Sequence, residues 1–420
     1  MESVVNPVQL TIWNTAMDTP ENPVKKYTCI DLFSGAGGLS RGLEHAGFKM
    51  LFASDINPVY GETYRQNHPH THFVDKDIRS LTGKEILTTC GLKKGELDLL
   101  AGGPPCQGFS INAPIRSLAD QRNHLFKEYL RIAAELFPKA ILIENVPGII
   151  SMGKGTVVKA IYKELEDMGY KVEHHILFAG HYGVPQMRFR TIFIATRLEG
   201  ANIVFPTPTH NAKAFANFTG AKELCLEITD DKRHSLKKQT SVWDAIRDLP
   251  SMSPLGKPRS IGYKEQPKNP FLKFVRGKSV EIYNHTTSGL AQINLERLKH
   301  IPQGGSWRDI PRELLPAGLK RARRSDHTKR YGRLHPDGLC STVLTKCDPH
   351  WGSFFHPFQD RIISVREAAR IQSFPDDFVF TGSITQQYEQ VGNAVPVLLA
   401  KTIGESVIKM LATAKTKVKK

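Results

Sequence analysis

From residue 27 to about residue 205, short apolar runs alternate with amphipathic stretches. That alternation is expected when strands and helices take turns around a sheet whose strands run mostly parallel. Runs at 27–33, 50–54, 97–101, 140–143, 174–179 and 191–195 read as strands, and 39–46 and about 123–137 as helices. The fold class is therefore α/β: a mixed, mostly parallel sheet with helices on both faces. Beyond Phe205 the periodicity weakens and proline, glycine and basic residues accumulate, at 206–208, 250–258 and 267–270. Residues 206–384 are expected to form a smaller, loop-rich domain beside a first domain at 27–205. Regular pattern returns at 365–372 and in an apolar helix from 396 to about 411, followed by a basic tail. Residues 1–26 carry Glu2, Asp18 and Glu21 without a basic start and apolar block, so a secretory signal is not expected there and the segment reads as an extended or disordered extension.

The formal charge of +16 creates an attractive field for a polyanion, nucleic acid first, although a basic surface kept for solubility would carry the same charge. Between 311 and 333 eight Lys or Arg (Arg312, Lys320, Arg321, Arg323, Arg324, Lys329, Arg330, Arg333) face Glu313 and Asp326. That excess in a loop-rich stretch fits phosphate contact, against the alternative of a solvated face. The six cysteines show no paired framework, which suits a reducing compartment. Cys340, Cys347, His350 and His356 cluster, but without CxxC or HxxxH spacing, and no metal is expected. No apolar run is long enough to span a membrane.

Two motifs carry chemistry. Asp31 to Ser40 reads DLFSGAGGLS, between a predicted strand and a predicted helix, where glycines allow a ligand close to the backbone. Alone it indicates a nucleotide-like cofactor, or a turn built for close packing. Asp55 near the end of the next strand suits ribose hydroxyls of either NAD or S-adenosylmethionine, and Asp77 offers an acceptor for an adenine amino group. The second motif, Gly102-Gly103-Pro104-Pro105-Cys106-Gln107-Gly108-Phe109-Ser110, directly follows the strand at 97–101. It puts a cysteine where α/β proteins bind ligands, behind two prolines that fix its direction.

With DLFSGAGGLS and Pro104-Pro105-Cys106-Gln107 together, the chain resembles the DNA cytosine-5 methyltransferases. Glu144-Asn145-Val146 matches that family's ENV motif, Gln186-Met187-Arg188-Phe189-Arg190 its QxRxR motif and Gln390 to Pro396 its final GN motif, with Arg366 to Pro375 resembling the block before it. The resemblance spans about 27–403 and implies a Rossmann-like methyltransferase fold, with the target-recognition domain in the loop-rich region. It makes Cys106 the nucleophile that attacks carbon 6 of a flipped-out cytosine, which turns carbon 5 into an enamine-like nucleophile. Such a thiol needs thiolate character. Glu144 becomes the acid near ring nitrogen 3, Arg190 the holder of the base carbonyl and Arg188 its helper, unless the arginines are phosphate or structural contacts. The implied cofactor is S-adenosylmethionine, leaving as S-adenosylhomocysteine, held by Phe33, Ser34, Gly35, Ala36, Gly37, Gly38, Asp55, Ile56, Asp77, Ile78, Pro104, Asn393 and Val395. Residues 385–420 would return to complete the first domain, which explains an apolar helix after a basic region.

Double-stranded DNA is the implied partner, contacted by Gln107, Ser110, Arg122, Arg321, Arg323, Arg324, Lys329 and Arg330. Residues 111–122 match the family's closing loop, though Arg122 could equally begin the helix that follows. A monomeric bacterial cytoplasmic or phage modification enzyme is expected, with a restriction endonuclease encoded nearby. Transfer-RNA cytosine methyltransferases resemble Pro-Pro-Cys-Gln-Pro-Phe and carry Cys-Phe-Thr, whereas Gly108 follows Gln107 here and Cys-Phe-Thr is absent. A DNA-binding module that has lost activity would not need Cys106, Glu144, Arg190 and Asn393. An NAD enzyme leaves Pro104 to Gln107 unexplained.

Overall fold

The structure is a computed structural model, and it describes residues 26–105, 124–215, 228, 234–252 and 262–417. Seven strands form one sheet: β1 (Thr28–Leu32), β2 (Lys49–Asp55), β3 (His72–Asp75), β4 (Leu99–Gly102), β5 (Ala140–Asn145), β6 (Lys171–Phe178) and β7 (Phe189–Thr196). Their order is β3-β2-β1-β4-β5-β7-β6. The first five pair in parallel, and β7 runs antiparallel between β5 and β6. Around the sheet lie the helices α1 (Gly38–Ala46), α2 (Pro58–Asn67), α3 (Gly83–Cys90), α4 (His124–Leu136) and α5 (Thr156–Asp167).

The strands read as continuous apolar runs because helices cover both faces. Successive residues point to opposite sides, so Cys29, Leu99, Ala140 and Leu142 join α1 in one core, while Ile30, Leu100, Ile141 and Ile143 join α3, α4 and α5 in another. The α/β expectation is met. The sequence left α2, α3 and α5 unmarked, because none carries a long uninterrupted apolar stripe.

The first core is completed from far along the chain, by the helix Val397–Lys417. Leu399, Ala400, Ile403 and Val407 pack beside Leu39 and Leu43 of α1. The crossing is too close for side chains on both helices: a Cβ added to Gly42 would lie 2.3 Å from the Ala400 Cβ, and one on Gly404 would lie 2.7 Å from the Ala46 Cβ.

A third core gathers Val242, Leu272, Leu298, Trp307, Phe354, Ile371, Phe374 and Tyr388. Its helices are short: Val242–Ile246, Pro270–Arg276, Gln292–Leu298 and Val365–Ile371. Buried arginines supply much of the order there. Arg366 donates to the carbonyls of Tyr283, Pro375 and Phe378, and Arg370 pairs with Asp248 and Asp376. Between this core and the sheet, the segment at 379–381 is held by two asparagines. Asn67 of α2 exchanges two hydrogen bonds with the Val379 backbone, each 2.8 Å. Asn284 does the same with Phe380, at 2.8 and 2.9 Å.

Candidate active site

The chain winds from β1 to β3 on one side of the sheet and continues through β4 and β5 on the other, so β1 and β4 are neighbours whose connections leave in opposite directions. Their carboxyl ends part to form a crevice, the usual place for ligands in open α/β sheets. A cleft of about 670 Å³ lies there, within the range that holds small-molecule cofactors.

One wall is the turn from β1 into α1. Phe33 has φ 59° and Gly35 φ 55°, so this turn contains a non-glycine residue in the left-handed region, a strained conformation that recurs at ligand sites. Asp55, at the end of β2, braces the turn: its carboxylate accepts from the Gly35 N–H at 2.9 Å and from the Asn57 N–H at 2.9 Å. Burial pushes its pKa up, and those backbone donors oppose the shift. Ile56 stands 65% exposed beside it, an apolar side chain left facing the cleft. Asp77 and Ile78 form the next edge, where the Arg79 guanidinium grips Asp77 and holds its carboxyl below the usual range.

The opposite wall comes from β4, β5 and the loop before β7. Gly103, Pro104 and Pro105 line the cleft, and the Asn145 amide fixes that loop by donating to the Pro104 carbonyl at 3.0 Å. A Cβ on Gly103 would lie 3.1 Å from Glu144 Oε2, so the loop passes directly along the carboxylate. Glu144 forms an ion pair with Arg190 Nε, and the two side chains are 13% and 11% exposed. Arg188 is buried, with its amino groups donating to the carbonyls of Val343, Gly392 and Ala394 at 3.2, 3.0 and 3.0 Å. Burial, then Arg190 beside it, draws its pKa well down.

The floor is the segment at 389–395. Asn393 donates to the Tyr60 hydroxyl at 3.1 Å, joining α2 to the end of the helix Ile384–Asn393. Burial and the nearby Glu389 push the tyrosine pKa up.

Of the residues expected to meet a cofactor, Phe33, Ser34, Gly35, Ala36, Gly38, Asp55, Ile56, Asp77, Ile78, Pro104, Asn393 and Val395 all line this one cleft, together with Glu144, Arg188 and Arg190. Gly37 is not among them. It turns the chain at φ 99° with His68 packed behind it, where a Cβ would come within 2.5 Å of the imidazole. Cys106, Gln107, Ser110 and Arg122 lie outside the described residues. Tyr60, Asn145 and Glu389 were not singled out by the sequence as cleft residues. Asn145 sits inside the ENV motif, whereas nothing local marks Tyr60.

The basic run lies elsewhere on the surface. Arg321, Arg323, Arg324 and Lys329 are exposed and Arg330 half-buried. Arg333 is occupied internally, donating to the carbonyls of Ile301 and Leu298 and pairing with Asp360. Among the described residues no group of three or more His, Cys, Asp or Glu is placed to hold a metal ion. Cys340 and Cys347 are buried in the third core.

Residues 27–409 match the family described as C-5 cytosine-specific DNA methylase. The chain belongs to that family. The methylase is 36% identical over 387 residues to the Type II methyltransferase M1.HphI of Haemophilus parahaemolyticus, covering 91% of this chain and 87% of that one. It is 33% identical over 431 residues to the Type II methyltransferase M.AgeI of Thalassovita gelatinovora, covering 90% and 98%. Its fold matches the crystal structure of a candidate DNA modification methyltransferase encoded within an E. coli prophage, with TM-score 0.68 and 26% identity over 92% of this chain and 100% of that one. This methylase is thus a DNA cytosine-5 methyltransferase, and its family's reaction implies S-adenosylmethionine as methyl donor. Among the described residues no helix is long and apolar enough to cross a membrane.

Proposed function

We propose that the cleft is where S-adenosylmethionine and a flipped-out cytosine of duplex DNA meet, with Cys106 as nucleophile, Glu144 and Arg190 on the base, and residues 206–384 reading the target. The observation that carries this reading is the convergence of the glycine turn, Asp55, Asp77 and Asn393 with the Glu144–Arg190 pair and the Pro104-Pro105 loop. Cys106 is the next residue after that loop.

The residues fit the cofactor chemically. Asp55 is braced by two backbone donors and retains carboxylate lone pairs for ribose hydroxyls, and Asp77 presents acceptors at the edge where Ile56 and Phe33 offer apolar surface to a purine. When bound, S-adenosylmethionine supplies the electrophilic methyl group. The chain's own residues do the rest. The thiolate of Cys106 adds to carbon 6 of the base, and the displaced electron pair makes carbon 5 nucleophilic. Glu144 and Arg190 hold the ring edge where negative charge develops, near nitrogen 3 and the carbonyl oxygen. Arg188 acts through backbone, tying the loop before β7 to the Asn393 segment.

The names of the Type II relatives support a modification enzyme; the same reading has it act as a monomer in the bacterial cytoplasm, with a restriction endonuclease encoded nearby. Arg321, Arg323, Arg324, Lys329 and Arg330, with Gln107, Ser110 and Arg122, would hold the duplex. The distinct core of the third cluster supports a separate recognition domain, and Val395, Leu399, Ile403 and Val407 in the sheet core support the return of residues 385–420 to the first domain, although Tyr388 and Val391 pack in the third core.

The test is transfer of labelled methyl groups to duplex DNA, with bisulfite sequencing to locate the target. The wild type should methylate and Cys106→Ser should lose activity by several orders of magnitude. Full activity in that variant would remove the cysteine from the mechanism.

A further inference from the structure

The basic run and a second, distant loop are brought together on one edge by a small parallel pairing of Gly332–Arg333 with Ser353–Phe355. The Ser353 hydroxyl donates to the Lys329 carbonyl at 3.0 Å, and the Tyr331 N–H donates to the Pro349 carbonyl at 2.7 Å. The edge carries an exposed tryptophan: Trp351 is 58% exposed, with the Arg330 guanidinium 5.5 Å from its ring centre. Arg323, Arg324 and Lys329 of the same basic run are exposed, as is Lys346, five residues before the tryptophan.

The turn presenting this indole is built rigidly. Asp348 accepts from the His350 N–H at 2.8 Å and from its ring at 3.0 Å, and the Trp351 N–H donates to the Asp348 carbonyl at 3.0 Å. The other nitrogen of His350 meets the Tyr331 hydroxyl at 2.7 Å. The strand of chain leading into the turn is fastened to the cleft. Cys340 exchanges backbone hydrogen bonds with Pro185 and Met187, the Val343 N–H donates to Gln186 Oε1 at 2.9 Å, and Arg188 grips the Val343 carbonyl. A large apolar ring held in water, among cations and on a turn tied to the catalytic arginine loop, is poorly explained by solubility or by core packing.

We infer that Trp351 is an aromatic stacking element for DNA: its indole packs against an exposed base face or base step of the duplex flanking the target, while Arg330 beside it and the other exposed cations of the basic run neutralise phosphates. Stacking on an aromatic ring tolerates any base, so this residue holds the deformed duplex rather than reading its sequence. A preformed turn reduces the ordering cost of that contact. The inference rests on duplex DNA as the substrate.

The test uses the full chain and a short fluorescein-labelled duplex carrying the sequence that bisulfite sequencing identifies. Trp351→Ala should weaken duplex binding by about tenfold or more, a typical loss for one stacked base, with unchanged affinity for S-adenosylhomocysteine by calorimetry and an unchanged melting temperature. Trp351→Phe should retain most of the affinity. In the wild type, duplex DNA should quench tryptophan emission, and Trp351→Phe should remove that component. If Trp351→Ala proves unstable, the quenching comparison decides. Equal duplex affinity in Trp351→Ala, or identical quenching in wild type and Trp351→Phe, overturns the stacking role while leaving the methylase reading intact. A wild type that neither binds nor methylates DNA would instead sink the substrate on which the inference rests.

Discussion

The sheet region and the third core solve the same problem by different means. In the sheet, backbone polar groups pair with one another along four parallel and two antiparallel ladders, and apolar side chains fill both faces. Among the described residues the third core has mostly short helices and a two-residue pairing, so many carbonyls have no ladder partner. There arginines take over: Arg366, Arg370, Arg333, Arg297 and Arg276 donate to the carbonyls of Tyr283, Ala245, Leu298, Leu314 and Glu265 respectively. Five donors in a fixed fork suit that work. One region is specified by hydrophobic period, the other by long-range hydrogen bonding, which makes the second sensitive to single charges.

The largest expected effect follows from that sensitivity. Arg370→Ala removes the cation shared by Asp248 and Asp376 in a fully buried site, leaving only Arg276 at 3.6 Å from the first and the Tyr263 hydroxyl and Arg366 beside the second, and should cost about 3–5 kcal/mol in denaturant unfolding. Arg370→Lys should restore little, because one ammonium cannot reach both carboxylates and the Ala245 carbonyl. A loss below about 1 kcal/mol would mean that the ion network is incidental and packing alone holds this core.

Next in size is the helix crossing of the sheet region. Gly42→Ala forces a methyl into Ala400 and against the Val397 carbonyl 2.6 Å away, a strain of about 1–3 kcal/mol. Ala400→Gly should recover part of it but not all, since the backbone contact remains. Complete rescue would place the conflict in side chains only.

Acid should move the two regions in opposite directions. Asp31 is buried at the start of the turn into α1, accepting from Ser40 at 2.6 Å, and burial raises its pKa to about 7 from 3.8. The folded state therefore holds more protons between those values, and the sheet region should gain stability as pH falls from 7 toward 4. His356 is buried with one ring nitrogen accepting two backbone N–H groups at 3.0 Å, and burial lowers its pKa to about 3 from 6.5. Here the unfolded state holds more protons, so the third core should lose stability over the same range. Hydrogen exchange followed by region at pH 7 and pH 5 measures both, and Asp31→Asn should remove the larger part of the gain, Asp55 carrying the rest. Parallel responses would contradict the assignment of either group.

The smallest effect separates surface arginines from internal ones. Arg323→Ala should leave unfolding within about 0.5 kcal/mol, while reducing the log–log salt slope of DNA binding by about 0.9 if it meets one phosphate. Arg333→Ala should do the reverse.

The same contrast explains what the sequence made legible. Strands β1, β4, β5 and β7 announce themselves through apolar runs, and the turn before α1 through glycines, because these signals are local. The cleft was largely readable for the same reason: its walls are the ends of those strands. Tyr60 was not, since its partner Asn393 lies 333 residues away. Arg188 and Arg190 look alike in the sequence, yet one is spent on backbone carbonyls and the other faces Glu144. Gly37 was read with its neighbours as a cofactor contact; it does not line the cleft, and the imidazole of His68 packs behind it. Arg333 belongs to the basic run by composition and to the interior by contact. In each case the deciding neighbour comes from another element.

The fit of α1 against the helix Val397–Lys417 has a consequence for biosynthesis. Leu43 and its partner Ile403 are separated by 360 positions along the chain, an interval of roughly twenty to seventy seconds at typical elongation rates. For that period the oily side of α1 has nothing to rest on, so the nascent methylase is expected to depend on a chaperone until its distal helix emerges from the ribosome.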